Sequence, residues 1–275
     1  MNNWLRRTVL IAATVSVMSV LAIGQEKSKG SLECRDNWHN DRLMSHCEIR
    51  EQTVPAGGTL TVDARKNGGV SVKGWDRSEV LVRSKVQAAA TTKSEAHDLA
   101  KQVRIETAGG KVYAAGPSNG ENYYWSVSYE IFVPRRSDLY LEAYNGGISI
   151  ADVSGRIEFN GHNGGVVLKR VGGSVRGGTT NGGLVVELAG ANWDGETLDV
   201  KTTNGGIVMT VPENYSAHLE TGTVNGHLSV DFPVTVQGRI TRELAVNLGA
   251  GGATVRAMTT NGGVKIKRAG SASNN

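Results

Sequence analysis

Cys34, His39, His46 and Cys47 crowd into the stretch CRDNWHNDRLMSHC, a set of side chains equipped for chemistry. Such a set can hold a metal ion or close a loop with a disulfide. The spacing C-x4-H-x6-H-C follows no zinc pattern, and the adjacent His46 and Cys47 are awkward ligands for one tetrahedral ion. Cys34 and Cys47 are also the only cysteines, so an oxidising compartment would pair them, and a disulfide is the expectation. No metal and no cofactor is expected.

Carboxylates are the next candidates, because glycan cleavage needs two acids roughly 5–9 Å apart, or acids holding a metal beside a base. Five places before successive Asn-Gly pairs stand Tyr140, Glu158, Arg176, Asp199, Glu220 and Arg256. Asp199 and Glu220 form the single neighbouring acidic pair, read as a solvated face balanced by Arg176 and Lys201. His162, His218 and His227 fall in different units and read as surface histidines. A G-x-S-x-G elbow, an H-E-x-x-H helix and a Walker A loop are all missing. No catalytic residue is assigned.

Whatever these groups do, an internal repeat must position them. Asn-Gly recurs at Asn145, Asn163, Asn181, Asn204, Asn225 and Asn261, with spacings of 18, 18, 23, 21 and 36. The phrase TTNGG appears word for word at 179–183, 202–206 and 259–263. Three places after each Asn come Ile148, Val166, Leu184, Ile207, Leu228 and Val264; six places before come Leu139, Ile157, Val175, Leu198, Leu219 and Val255. The position five places after is equally apolar. The last spacing is twice 18, which predicts a degenerate unit around LAVNLGAGGATV.

Two places before the Asn lies a small row, Ala143, Gly161, Thr179, Thr202, Thr223 and Thr259, on the same side of the pleat as the apolar positions. Each unit therefore reads as strand, Asn-Gly turn, strand, with one buried face that only stacked neighbours can cover. The turn is expected to use the positive φ that glycine tolerates. Two architectures satisfy the pattern. One is a β-solenoid of about 18–23-residue repeats whose Asn and Thr stack in ladders, and the other is a meander of stacked hairpins. The ladders favour the solenoid.

Four places after the Asn, an outward position, Val167, Val185 and Val208 form an apolar stripe flanked by Ser149 and Ser229, which is a candidate partner surface or a face covered within the chain. ENYYWSVSYEIFV alternates Trp125, Val127, Tyr129, Ile131 and Val133 as a buried strand face and leaves Tyr124 outward and Tyr123 at the strand's start. An earlier Asn-Gly at Asn67 has its apolar alternation shifted by one residue, which predicts a different coil type or an opening sheet over Thr53 to Arg83. SEAHDLAKQV is the one helical stretch, with Ser94 as its expected cap.

The chain opens with a basic start, an apolar run over 8–23 and a small-residue site, which together read as a signal peptide cleaved after Gly24. Arg6 and Arg7 leave with it, and net charge falls from +4 to +2. No basic run remains to bind nucleic acid, and the membrane matters only during export. With 36 Gly and 5% aromatic residues, the composition suits short strands and tight turns.

The segment VSYEIFVPRRSDLYLEAYNGGISIADVSGRIEFNGHNGGVVL, and before it LTVDARKNGGVSVKGWDRSEVLVRSKV, resemble the bacterial putative-adhesin β-strand-repeat family. The resemblance covers roughly Thr53 to Arg268. It implies a right-handed β-helix or related solenoid exported to the envelope, and it brings no catalytic residues.

The expected organisation is a signal peptide over 1–24, a disulfide-closed segment over 25–52, a β region with one short helix over 53–135, the Asn-Gly repeat over 136–268 and a disordered tail over 269–275. The expected function is a non-enzymatic, adhesin-like module in the periplasm or at the cell surface, meeting an envelope protein or a glycan. The alternative is a β-helix enzyme acting on polysaccharide.

Overall fold

The structure is a computed structural model that describes residues 32–34, 42–233 and 242–270, so the signal peptide and residues 271–275 of the tail lie outside the described residues. Alternating burial marks nearly every element as a strand with one wet and one dry face. In chain order these are β1 (Met44–Pro55), β2 (Thr59–Asp63), β3 (Val70–Trp75), β4 (Glu79–Ala90), helix α1 (Lys93–Gln102), β5 (Arg104–Glu106), β6 (Lys111–Ala115), β7 (Tyr124–Pro134), β8 (Asp138–Asn145), β9 (Ile148–Ala151), β10 (Ser154–Asn163), β11 (Val166–Lys169), β12 (Gly172–Asn181), β13 (Leu184–Glu187), β14 (Thr197–Asn204), β15 (Ile207–Val211), β16 (Ala217–Asn225), β17 (Leu228–Val230), β18 (Glu243–Leu248), β19 (Thr254–Asn261) and β20 (Val264–Arg268). The front sheet runs β18-β16-β19-β14-β12-β10-β8-β2-β6-β5, and the back sheet runs β1-β4-β7-β3-β9-β11-β13-β15-β20-β17. The architecture is all-β, with two large mixed sheets.

The two arms of an Asn-Gly unit do not pair with each other. β8 pairs in parallel with β2 and β10, while β9 pairs in parallel with β3 and β11. Each Asn-Gly is therefore a corner between sheets, and the hairpin meander is not the arrangement adopted. The apolar pattern explains the choice: both arms carry a dry face, and folding one arm over the other buries both at once. Leu139, Ile157, Val175, Leu198, Val255 and Leu219 line up across the front sheet, each at most 1% exposed. Ile148, Val166, Leu184, Ile207 and Val264 answer from the back sheet. Each such side chain contributes about 1.5–3 kcal/mol by leaving water.

The units do not stack in sequence order. β19 lies between β14 and β16, and β20 lies between β15 and β17, so the last Asn-Gly unit is inserted inside the stack. The stretch around LAVNL is not the expected degenerate unit: it forms β18, antiparallel to β16 at the edge of the front sheet. The Asn67 copy, in contrast, joins the same stack. Leu60 pairs with Leu139 and Asn67 bridges Asn145, which leaves one extra residue on the β2 side. Arg65, at φ 56°, takes up that residue and restores the register.

The corners are themselves rungs. The amide of Gly164 donates to Asn181 O at 2.9 Å and that of Gly182 to Asn204 O at 3.0 Å, so pairing continues around the bend. Asn67, Asn145, Asn163, Asn181, Asn204, Asn261 and Asn225 form one exposed column in which each successive Nδ2 donates to the preceding Oδ1 at 2.7–3.0 Å. Inside it, the hydroxyls of Thr179, Thr202, Thr259 and Thr223 donate to the carbonyls of Gly164, Gly182, Gly205 and Gly262 at 2.7–2.8 Å.

The glycines answer a different need from the expected one. Among the glycines after these asparagines only Gly262 has a positive φ, at 152°. A Cβ on Gly182 would stand 2.1 Å from Gly164 O, and one on Gly205 would stand 2.0 Å from Gly182 O. Close approach of neighbouring backbones, rather than turn geometry, requires glycine here. Thr202→Val keeps the shape and leaves the half-buried Gly182 carbonyl without its donor. It should cost about 1 kcal/mol and lower Tm by about 2–4 °C in a thermal melt.

At the other end of the stack, α1 packs against β1 and β4. Its N-cap is Thr92 rather than Ser94, and Thr92 forms a capping box with Glu95. The Arg50 guanidinium from β1 donates to Ala100 O at 2.8 Å and to Val103 O, which satisfies carbonyls at the helix C-terminus.

Candidate functional site

Cys34 and Cys47 are joined in a disulfide, which ties Leu32–Cys34 to the edge strand β1. His46, next to it, lies 3.3 Å from a Glu48 carboxylate oxygen and packs edge-on against His97; His39 lies outside the described residues. Among the described residues no group of three His, Cys, Asp or Glu could hold a metal ion.

Asp199 and Glu220 are not neighbours. Insertion of β19 puts Arg256 between them, paired to Asp199 on one side and Glu220 on the other, with its Nε 3.7 Å from the Glu220 carboxylate. Across the front sheet this outward row reads Glu158, Arg176, Asp199, Arg256, Glu220, strictly alternating in sign. No two of these acids converge, so the row has neither the acid pair nor the acid-base set that glycoside cleavage needs. Tyr129 is buried and its phenol has no hydrogen-bond partner among the described residues; burial pushes its pKa up, away from acid–base work.

Val167, Val185 and Val208 do lie side by side on the outer face of the back sheet. Val185 is 40% exposed and the other two are half-buried. The same insertion alters the far flank of this stripe, where Lys265 of β20, rather than Ser229, stands next to Val208.

Tyr123 belongs to the loop before β7, its carbonyl accepting from Gly120 N at 2.8 Å, while Trp125 Nε1 donates to Pro117 O at 2.7 Å. A stacked aromatic pair lies on the front sheet. Tyr144 of β8 and His162 of β10 each precede a corner Asn, on adjacent strands in register. Their rings stack with centroids 4.4 Å apart and planes 21° apart, and Tyr144 stays 51% exposed.

Beside this pair lies a groove of about 750 Å³ whose floor is Ala143 and Gly161. Asp63, Glu142 and Asn160 line it together with Arg65 and Lys66. Tyr140 donates to Glu142 Oε1 at 2.7 Å, which holds that carboxylate in place and raises the pKa of the phenol. The Arg65 amide donates to Asp63 Oδ1 at 2.7 Å, and its guanidinium lies over the Tyr113 ring at 5.1 Å. A signal for this site exists in the sequence: Tyr144 and His162 share the position just before the Asn, the one outward column next to the corner.

No family model matches the chain, and no curated protein is similar to it. Among solved structures it is similar to a putative cell adhesion protein from Clostridium sporogenes, at 11% identity over 82% of this chain and 100% of that one, with a TM-score of 0.48. It is also similar to a putative adhesin from Bacteroides fragilis, at 8% identity over 81% and 97% of the two chains and a TM-score of 0.32. A third is a putative lipid binding protein from Parabacteroides distasonis, at 9% identity over 80% and 97%, with a TM-score of 0.29. The adhesin names coincide with the family that the sequence resembles.

Proposed function

We propose that the chain is an exported, non-catalytic interaction module of the bacterial envelope, a β-solenoid-like stack whose outer faces meet a partner. The observation that carries this reading is where the repeated residues are used. Asn, Thr and Gly of the repeat face neighbouring units, and the outward acids alternate with arginines instead of converging on a cleft. The corner asparagines act as structural rungs in this reading. Export is supported by the basic–apolar start of the sequence and by the Cys34–Cys47 disulfide.

The test is to incubate the protein, without residues 1–24, with envelope extracts and polysaccharides. Retention on a partner without release of reducing ends or unsaturated sugars is expected. Turnover of any polysaccharide would sink the non-catalytic reading. The Val stripe is proposed as one contact face. A Val185→Asp variant should keep the wild-type Tm within about 2 °C, since an exposed surface change is worth roughly 0.5 kcal/mol. It should also recover less of the retained partner, and equal recovery would remove the stripe from the interface.

A further inference from the structure

Given an interaction module, on which reading this rests, we infer that the front-sheet groove beside Tyr144 and His162 is a binding site for a neutral glycan chain. Two features point to it independently. The first is the platform: Tyr144 is half exposed, its ring is braced by His162 on one side, and a flat, rigid aromatic face is left to solvent. Such a face suits the C–H side of a sugar ring, as aromatic side chains offer large area with little flexibility to lose.

The second feature is charge balance. Asp63 and Glu142 line the groove against Arg65 and Lys66, with Asn160 among them. An anionic polymer would meet two carboxylates, and a lipid tail would meet four charged groups. A hydroxyl-rich neutral ligand can donate to the carboxylates and accept from the amide and guanidinium. Glu142 is already oriented by the Tyr140 phenol, so it needs little reorganisation to bind.

Arg65, whose φ of 56° restores the β2 register, places its guanidinium at the groove rim above Tyr113. Beyond His162 the same outward column continues as Thr180, Thr203 and Thr260 in the next strands, about 4.8 Å apart, which extends a row of hydroxyls away from the platform. The second Thr of TTNGG thereby faces the ligand side, while the first faces the core.

Immobilised neutral β-glucan, galactan and mannan, a polygalacturonate control and phosphatidylcholine or phosphatidylglycerol vesicles provide the probes. The protein should be retained on at least one neutral glycan, with an affinity that changes little with salt. Tyr144→Ala should weaken Kd by at least about tenfold, the worth of roughly one aromatic contact, while Tyr144→Phe stays within about threefold. A folded wild type that binds no neutral glycan, or only polygalacturonate or vesicles, overturns the inference, and so does a Tyr144→Ala variant that binds equally. None of those outcomes touches the non-catalytic reading, which fails only if the glycan is cleaved.

Discussion

Gly182→Ala should unfold at a Tm about 6–12 °C below wild type, whereas Gly165→Ala, one place later in the preceding corner, should shift it by no more than about 2 °C. Both residues belong to Asn-Gly-Gly corners, and neither has a positive φ, so alanine suits both backbones equally well. They differ in what a methyl group would meet. On Gly182 it would lie 2.1 Å from Gly164 O and 2.4 Å from the carbonyl carbon, and on Gly165 it would lie 3.4 Å from Gly183 O, ordinary contact. The obstacle at Gly182 is Gly164 backbone fixed by its own rungs, because Gly164 N donates to Asn181 O and Thr179 donates to Gly164 O. No rotamer change can relieve it. Overpacking that forces backbone to move costs about 3 kcal/mol or more, while at Gly165 the loss of unfolded-state freedom offsets any crowding. Thermal melts followed by circular dichroism decide the matter. Equal losses at the two sites would mean that corner geometry, not the approach between neighbouring units, demands glycine.

The corner glycines also mark how far the sequence alone reaches. Glycine at a repeated position signals a backbone that tolerates no side chain, but the letter is the same whether φ or a neighbour forbids it. The period, the inward rows and the disulfide are legible because they depend on residues a few places apart or on a single pair of cysteines. Neighbour order is not. Val255 and Leu219 present the same apolar surface to Leu198, so nothing local tells which of β19 and β16 stacks on β14. One consequence follows at both candidate surfaces, where Arg256 separates Asp199 from Glu220 and Lys265 lies beside Val208. Asn67 is misread for a related reason: a one-residue slip ordinarily flips a strand, but a single left-handed Arg65 absorbs it. The Tyr144–His162 stack needs both the period and the register, and the alignment of Asn145 with Asn163 supplies them.

Removing residues 254–275 should abolish cooperative folding of everything beyond β15, a far larger effect than loss of a terminal unit. Were the units stacked in chain order, those residues would form an outer layer and their removal would cost least. Here they form an inner one. β19 bridges β14 and β16, β20 bridges β15 and β17, and Val255, Ala257, Val264 and Ile266 are at most 2% exposed. Burial of the three larger side chains alone is worth about 5–9 kcal/mol, comparable to the whole stability of a typical domain. β16 and β17 could recover it only by closing the gap onto β14 and β15. Their apolar rows permit that move, but their charges oppose it: closure in register would set Glu220 directly against Asp199 with no Arg256 between them, and like charges opposite each other across strands repel. The alternating row therefore favours this order of units by roughly 0.2–1 kcal/mol for each opposed pair it avoids. Limited proteolysis with mass spectrometry should show the 1–253 chain cut freely after Val211 while β1–β15 stay protected. Adding Glu220→Arg should let the shortened chain close its gap and regain protection through β16. A 1–253 chain as protected as wild type, with Glu220 intact, would show that the apolar rows alone set the order and that the charges have no part in it.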